Sequence, residues 1–348
     1  MTAAQAPDIA VLAADLLRRA GISDRVESIR LANAGGNNRI YRIETATAAY
    51  AAKQYFRHEG DTRDRLGAEF AFLSYAHAVA PASVPWPLAL DAQVGIALYE
   101  FITGEPLRPG SIGRPEVDAA IAFFVALNDP AARRRATALP VASEASFSLA
   151  EHLRSIDGRV GQLLAAVAED DGQGRARLDE LADRWRTLDG WVRAEARGLG
   201  LAMEDILPPA QRCISPSDFG FHNALRTAGG GLRFLDFEYA GWDDPAKTAG
   251  DFFSQLAVPV PAEHFDHFVA GIAGPFEDPA ALTVRAGLLR PVYQVKWCCI
   301  ALNVFLPVHL ARRKFANPDL DETALKQAQL AKAYKILQSI QEPRHGLH

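Results

Sequence analysis

The 348 residues exceed one typical domain, and with 49% apolar and 23% charged residues the chain can bury a full core. Its 42 acidic and 37 basic residues leave a net charge of −5, which excludes a basic nucleic-acid binder or a polybasic membrane-surface protein. The three cysteines, Cys213, Cys298 and Cys299, have neither the spacing of a zinc site nor that of a disulfide framework, so reduced thiols are expected.

The N-terminal stretch has no basic segment ahead of an apolar run and does not read as a signal peptide. Ile9, Leu12 and Leu16 recur at helical spacing instead. Residues 25–31 predict a strand, and the loop Asn33-Ala34-Gly35-Gly36-Asn37-Asn38 leads into a period-two strand at 39–43. Residues 51–56 predict a third strand, 62–77 a helix, and Pro81, Pro85 and Pro87 a connector. A buried strand at 95–102 closes at Thr103-Gly104. This first part is therefore mostly antiparallel sheet with one intercalated helix.

Beyond Pro115 the pattern turns helical, with segments at 117–128, 149–169 and 175–197. A hairpin region at 214–238 interrupts them. Helices resume after Pro245, ending in an amphipathic one at 323–340. The apolar stretch 297–311 is too short, and too interrupted by Asn303, Pro307 and His309, to span a bilayer. A cytoplasmic protein is expected.

The chemistry concentrates at 213–225 and 231–242. Two short apolar runs, Ala224-Leu225 and 232–235, flank a Gly-rich turn and predict a tight hairpin. Such a hairpin sets Asn223, before its first strand, beside Asp236, after its second, and Asp218 folds over the same spot. Phosphoryl transfer needs Mg²⁺ held by carboxylate, amide and phosphate oxygens, and a separate carboxylate to take the acceptor's proton. Asp218 is the candidate base, with Asn223 and Asp236 the candidate metal ligands. Glu238 either adds a ligand to a second ion or points away from the site.

Lys53 is the only lysine before Lys247 and sits in an otherwise apolar strand. An unpaired ammonium there is costly, so its use in an arginine-rich chain points to phosphate oxygens as partners. Glu69 on the following helix is the candidate that holds it. The Gly35-Gly36-Asn37-Asn38 turn lets backbone amides approach phosphates, although a hairpin turn of this composition needs no ligand.

In this order, along nearly the whole chain, the motifs resemble the aminoglycoside phosphotransferase and choline kinase family, relatives of the protein kinases. The resemblance implies an α+β, protein-kinase-like fold: an N-terminal lobe at 1–103 that binds nucleotide, a hinge near 99–105, and a helical lobe at 104–348. It implies ATP and Mg²⁺, with a small-molecule hydroxyl as acceptor. Gly35 through Asn38 is similar to the phosphate-covering loop, and Lys53 with Glu69 to the lysine–glutamate pair. Glu100, Phe101 and Ile102 are similar to the adenine-binding hinge, and Asp218 through Asn223 to the D-x-x-x-x-N catalytic loop. The Asp236-Phe237-Glu238-Tyr239-Ala240 string is nearest to the choline and ethanolamine kinase branch, favouring an amino alcohol over a sugar, aminosugar or aminoglycoside.

One position departs from the family. Pro216 stands two residues before the base, where a histidine is usual. It supports the competing reading of a non-catalytic nucleotide-binding protein, while the intact set of Lys53, Asp218, Asn223 and Asp236 supports an active enzyme. A protein kinase is disfavoured, because Asp236 is followed almost directly by Pro245 and a helix, with no room for a long activation segment. His222 is expected to brace the loop, and Asp251 to cap a helix or brace the loop. Trp242, Tyr293 and Trp297 either line a pocket for a cation or belong to the core.

Overall fold

The computed structural model describes residues 8–34, 38–57, 63–167, 172–317 and 319–340. Helix α1 (Ile9–Arg19) starts where the Asp8 carboxylate accepts the Ala10 N–H at 2.9 Å. Five strands follow: β1 (Val26–Ala34), β2 (Arg39–Thr45), β3 (Ala49–Gln54), β4 (Pro87–Asp91) and β5 (Ile96–Glu100). They make one antiparallel sheet in the order β1-β2-β3-β5-β4. Leu16 and Leu17 of α1 share a small core with Ile43, Ala52, Ile96 and Leu98 of the sheet. Helix α2 (Arg65–Val79), capped by Asp64, connects β3 to β4.

Strand β4 lies where the prolines predicted only a connector. Pro87 opens it. A proline is tolerated there because β4 is the edge strand, paired with β5 alone, so its missing N–H breaks no inner ladder.

The rest of the chain is mostly helical. It comprises α3 (Arg114–Asn128), α4 (Pro130–Arg133), α5 (Leu149–Ala166), α6 (Gly172–Gly198), α7 (Pro245–Ser254), α8 (Phe265–Ala273), α9 (Pro279–Leu302), α10 (Pro307–Ala316) and α11 (Glu322–Ser339). The expected helices correspond to α3, α5, α6 and α11. Short strands interrupt them: β6 (Glu105–Pro106), β7 (Cys213–Ser215), β8 (Ala224–Arg226), β9 (Leu232–Phe234) and β10 (Gly241–Asp243). The predicted hairpin is β8–β9, in register Ala224 with Phe234 and Arg226 with Leu232. β6 adds to its edge, and β10 pairs with β7. The fold is the α+β arrangement expected, a five-stranded antiparallel sheet followed by a helical region.

One apolar core runs through both parts. Tyr55, Leu66, Phe72 and Leu73 join Phe123, Phe219, Phe234, Phe237, Phe252 and Phe268. Phe72 of α2 meets Phe237 at 4.7 Å between ring centroids, and Phe252 stacks on Phe268 at 4.4 Å. No single helix among the described residues is long and apolar enough to cross a membrane.

Asp244 anchors the helical part. Its carboxylate caps α7 at the Ala246 N–H (2.8 Å) and also meets His152 of α5 and Arg285 of α9. Burial alone pushes this carboxyl upward, but Arg285 and His152 outweigh it and hold it far below the usual carboxylate range. A depressed carboxyl stabilises the fold above its unfolded pKa of about 3.9, and that contribution is lost as pH falls through the folded value. Arg285→Ala removes the main compensating charge from a carboxylate with no solvent exposure. It is expected to cost about 3–5 kcal/mol and to move acid unfolding to higher pH, as followed by circular dichroism. An unchanged acid midpoint would contradict this account.

Candidate active site

Lys53 lies on β3, with Ile40 of β2 on one side and Ala97 of β5 on the other. Only 6% of it is exposed. Its Nζ is 2.7 Å from Glu69 Oε2 on α2 and 2.5 Å from Asp236 Oδ1 beyond β9. Burial pushes the ammonium's pKa down, yet Asp236 and Glu69 outweigh burial and hold it well above the ordinary lysine value. Lys53 therefore remains a cation. The expected Lys53–Glu69 pair is present, and Glu69 is further satisfied by the Tyr55 hydroxyl at 2.6 Å and the Phe237 N–H at 3.1 Å. Tyr55 in turn shares a 2.7 Å hydrogen bond with Tyr99. Sequence reasoning missed both tyrosines. A signal for the first existed, because Tyr55 follows Lys53 by two residues and so shares its face of the extended chain.

The loop after β7 carries Asp218. Asn128 of α3 fixes its approach, donating to Ile214 O at 3.0 Å and accepting from Ile214 N–H at 2.8 Å. Pro216 is buried and brings no polar side chain. The loop is braced instead by Ser215 Oγ, which accepts the Ser217 N–H at 3.1 Å and bonds Thr248 of α7 at 3.0 Å. Ser217 has φ 66° and Asp236 has φ 67°, both in the left-handed region that costs a non-glycine residue about 1–3 kcal/mol. These two turns aim the residues that flank the hairpin.

Asp218 Oδ1 meets His222 Nε2 at 3.2 Å, and Asn223 Nδ2 donates to Asp218 O at 3.0 Å and to Oδ2 at 3.3 Å. The amide nitrogen of Asn223 is thereby spent, and its oxygen is the atom left to offer an ion. Leu235 N–H donates to Asn223 O at 2.8 Å, tying the two ends of the hairpin together. Asp218, Asn223 and Asp236 thus converge at one end of β8–β9, and Lys53 reaches Asp236 from the sheet.

Residues 28–274 match the family model for the APH phosphotransferase enzyme family. The chain belongs to that family. It is a phosphotransferase-family kinase acting on small molecules. Its structure is similar to the choline kinase LicA of Streptococcus pneumoniae (TM-score 0.57, 14% identity, 95% of this chain and 99% of that one). It is also similar to a choline/ethanolamine kinase family protein from Mesorhizobium loti (0.56, 18%, 94% and 94%). A spectinomycin phosphotransferase solved with ADP and spectinomycin aligns at 0.55 and 12% identity over 94% of this chain and 98% of that one. At these identities the likeness establishes the protein-kinase-like fold. The sequence has no significant match among curated proteins.

Within this phosphotransferase, two expected contacts take another form. Glu238 is 2% exposed, and its oxygens receive Arg65 Nη1 at 2.7 Å and Asn38 Nδ2 at 2.9 Å. Asn38 is itself buried and accepts the Phe56 N–H at 3.1 Å. With these groups spent internally, we read Asn38 and Glu238 as a brace between the sheet and the Asp236 segment. A phosphate contact of Asn38 or a second-ion role of Glu238 would have to compete with these contacts. Gly35, Gly36 and Asn37 lie outside the described residues.

Glu100 closes β5, its carboxylate accepting the Trp86 N–H at 3.1 Å and Arg233 Nη2 at 2.7 Å. The Phe101 ring carries the Arg42 guanidinium at 4.5 Å. These side chains are engaged, and the backbone N–H groups of Glu100 and Phe101 donate to Trp86 O at 2.9 Å and to Ala49 O at 3.4 Å. Among the described residues no group of three His, Cys, Asp or Glu side chains is placed to hold a metal unaided. An amide and a carboxylate completed by phosphate oxygens suit Mg²⁺, which binds through few protein ligands.

A cavity of about 250 Å³ opens beside Asp218 and His222, bounded also by Lys296, Trp297, Arg312 and Arg313. Of the three aromatic residues weighed for a pocket, only Trp297 reaches it. Tyr293 is buried against His152 at 2.6 Å, and Trp242 sits in β10, donating to Ala136 O at 3.3 Å. Asp251 braces the wall by accepting from Trp297 Nε1 at 2.9 Å and from Lys296.

Proposed function

We propose that this phosphotransferase moves the γ-phosphoryl group of ATP to a hydroxyl of a small molecule seated in the cavity beside Asp218. The observation that carries the reading is the 2.5 Å contact of Lys53 with Asp236, which puts a buried cation at the hairpin end where Asp218 and Asn223 meet. Asp218 accepts the acceptor's proton, and His222 orients its carboxylate. Lys53, fixed by Glu69, holds phosphate oxygens. The backbone of 100–102 receives adenine. Asn223 and Asp236 would hold Mg²⁺, which neutralises charge on the phosphate oxygens. The nucleotide then belongs to residues 1–103 and the acceptor to 104–348.

The non-catalytic alternative rested on Pro216. Ser215, Thr248 and Asn128 supply bracing that a proline cannot, which weakens that alternative. Millimolar MgATP is expected to raise the melting temperature, and omitting Mg²⁺ to shrink the rise. At 100 times Kd the stabilisation is about 2.7 kcal/mol. A hydroxyl-acceptor screen with MgATP, reading ADP release above the acceptor-free rate, then tests transfer. Absence of any nucleotide-dependent shift would sink the kinase reading.

A further inference from the structure

Among the described residues, three carboxylates border the cavity: Asp218 itself, Glu144 and Asp251. The last two are taken up by the protein's own cations. Lys296 of α9 sets its Nζ 3.0 and 2.9 Å from the two oxygens of Asp251, and 3.4 Å from Glu144. Arg159 of α5 closes on the other Glu144 oxygen at 2.5 Å. Trp297 Nε1 donates to Asp251 at 2.9 Å, and Lys247 lies 3.7 Å from its second oxygen. Burial pushes the Glu144 carboxyl upward, but Lys296 and then Arg159 outweigh it and hold it far below the usual carboxylate range. Both carboxylates are neutralised from within.

The Lys296 ammonium also lies 5.3 Å above the ring of Tyr293, one turn back on α9. Two carboxylates and an aromatic face are the surroundings in which a protein recognises a substrate ammonium. Here a side chain fills that place: only 6% of Lys296 is exposed, yet it forms part of the cavity's boundary. The residue type matters. A lysine head is a compact ammonium on a flexible stem, the shape of a primary amine, whereas a guanidinium is planar and broader. The remaining carboxylate is Asp218, whose two oxygens face His222 and Asn223. On the kinase reading it serves the acceptor's hydroxyl. An amine on the same molecule then finds no counter-charge among the carboxylates of this cavity.

Resting on that kinase reading, we propose that Lys296 determines acceptor specificity: its ammonium fills the cation subsite of the cavity, so the acceptor is a hydroxyl compound without an ammonium group. Of the acceptors the motifs admit, amino alcohols, aminosugars and aminoglycosides carry an amine, and the uncharged sugars remain. This runs against the amino alcohol that the Asp236–Ala240 string favoured. The cavity's 250 Å³ corresponds to about eight waters at roughly 30 Å³ each, the scale of a monosaccharide.

The test melts the full-length protein and Lys296→Ala, each with and without MgADP, in ethylammonium, ethanolamine or choline chloride, with sodium chloride and ethanol as controls. The parent is expected to show no saturable stabilisation by any of the amines. Lys296→Ala is expected to melt lower, because Asp251 and Glu144 lose a counter-charge, and ethylammonium to recover at least about half of the loss. Ethanolamine should bind this variant at least about tenfold more tightly than the parent, whereas a lysine sealed off from the cavity would leave the two affinities alike. Saturable binding of ethanolamine or choline to the parent would overturn the proposal. So would a variant on which ethylammonium acts no better than sodium chloride. If Lys296→Ala does not fold, the parent titrations decide alone. Absence of a MgATP thermal shift would instead strike the kinase reading and leave the amine results standing, so the two failures are distinguishable.

Discussion

Asp218→Asn is expected to lower turnover by about 10²- to 10⁴-fold, the range general-base catalysis contributes, while nucleotide affinity changes less than about twofold. The shape of the side chain is kept, and it sits in a partly exposed position beside His222 and Asn223. Stability should shift within about 0.5 kcal/mol. The groups assigned to the phosphates, Lys53 and Asp236, are untouched. Steady-state kinetics combined with nucleotide titration separates the two effects. A variant that loses binding and turnover together would mean that Asp218 holds the ion or the nucleotide and is not the base.

Lys53→Met should have the largest effect on the fold. It leaves Glu69, 3% exposed, with only the Tyr55 hydroxyl and the Phe237 N–H as partners. Breaking a buried pair from one side costs about 3–5 kcal/mol, and nucleotide affinity should fall with it. The sign of the pH dependence follows from the charges. In the parent protein Lys53 has a raised pKa, so its stabilisation is complete below the unfolded value of about 10.4 and is lost only as pH rises past the folded one. In the variant the Glu69 carboxyl, already raised by burial in the parent, loses the Lys53 charge that opposes the rise and is raised further. Its penalty grows as pH climbs above the unfolded glutamate value of about 4.3, so the variant should melt closer to the parent at pH 5 than at pH 8. Adding Glu69→Gln should recover most of the stability without restoring turnover. Equal destabilisation at both pH values would refute this account.

The sheet-then-helix order was legible because period-two and period-3.6 patterns are long at 39–43, 117–128 and 149–169. The hairpin was legible because a Gly-rich turn separates two apolar runs, and its geometry forces Asn223 and Asp236 together. β4 was hidden by Pro87, whose edge position is a tertiary fact. β6, β7 and β10 are two or three residues long, too short to show a period. At the site, Lys53 stood out as a rare residue type in an apolar strand. The contacts of Asn38 and Glu238 were not legible, because Arg65, which pairs with Glu238, enters from another element. Residue type alone does not distinguish a carboxylate awaiting an ion from one already paired. The cavity wall was illegible for the same reason. Lys296, Arg312 and Arg313 border the same cavity as Asp218 only through the packing of α9 and α10.

The contacts between the sheet and the helical region have a consequence for how the molecule comes apart. Lys53–Asp236, Arg65–Glu238 and Arg233–Glu100 are ion pairs that bridge the two parts, and Phe72 packs on Phe237 in the shared core. A sheet fragment expressed alone would lose Asp236 from Lys53 and Glu238 from Arg65, together with the Phe72–Phe237 packing. The two parts are therefore halves of one cooperative unit, not separable modules, and calorimetry should record a single transition rather than two.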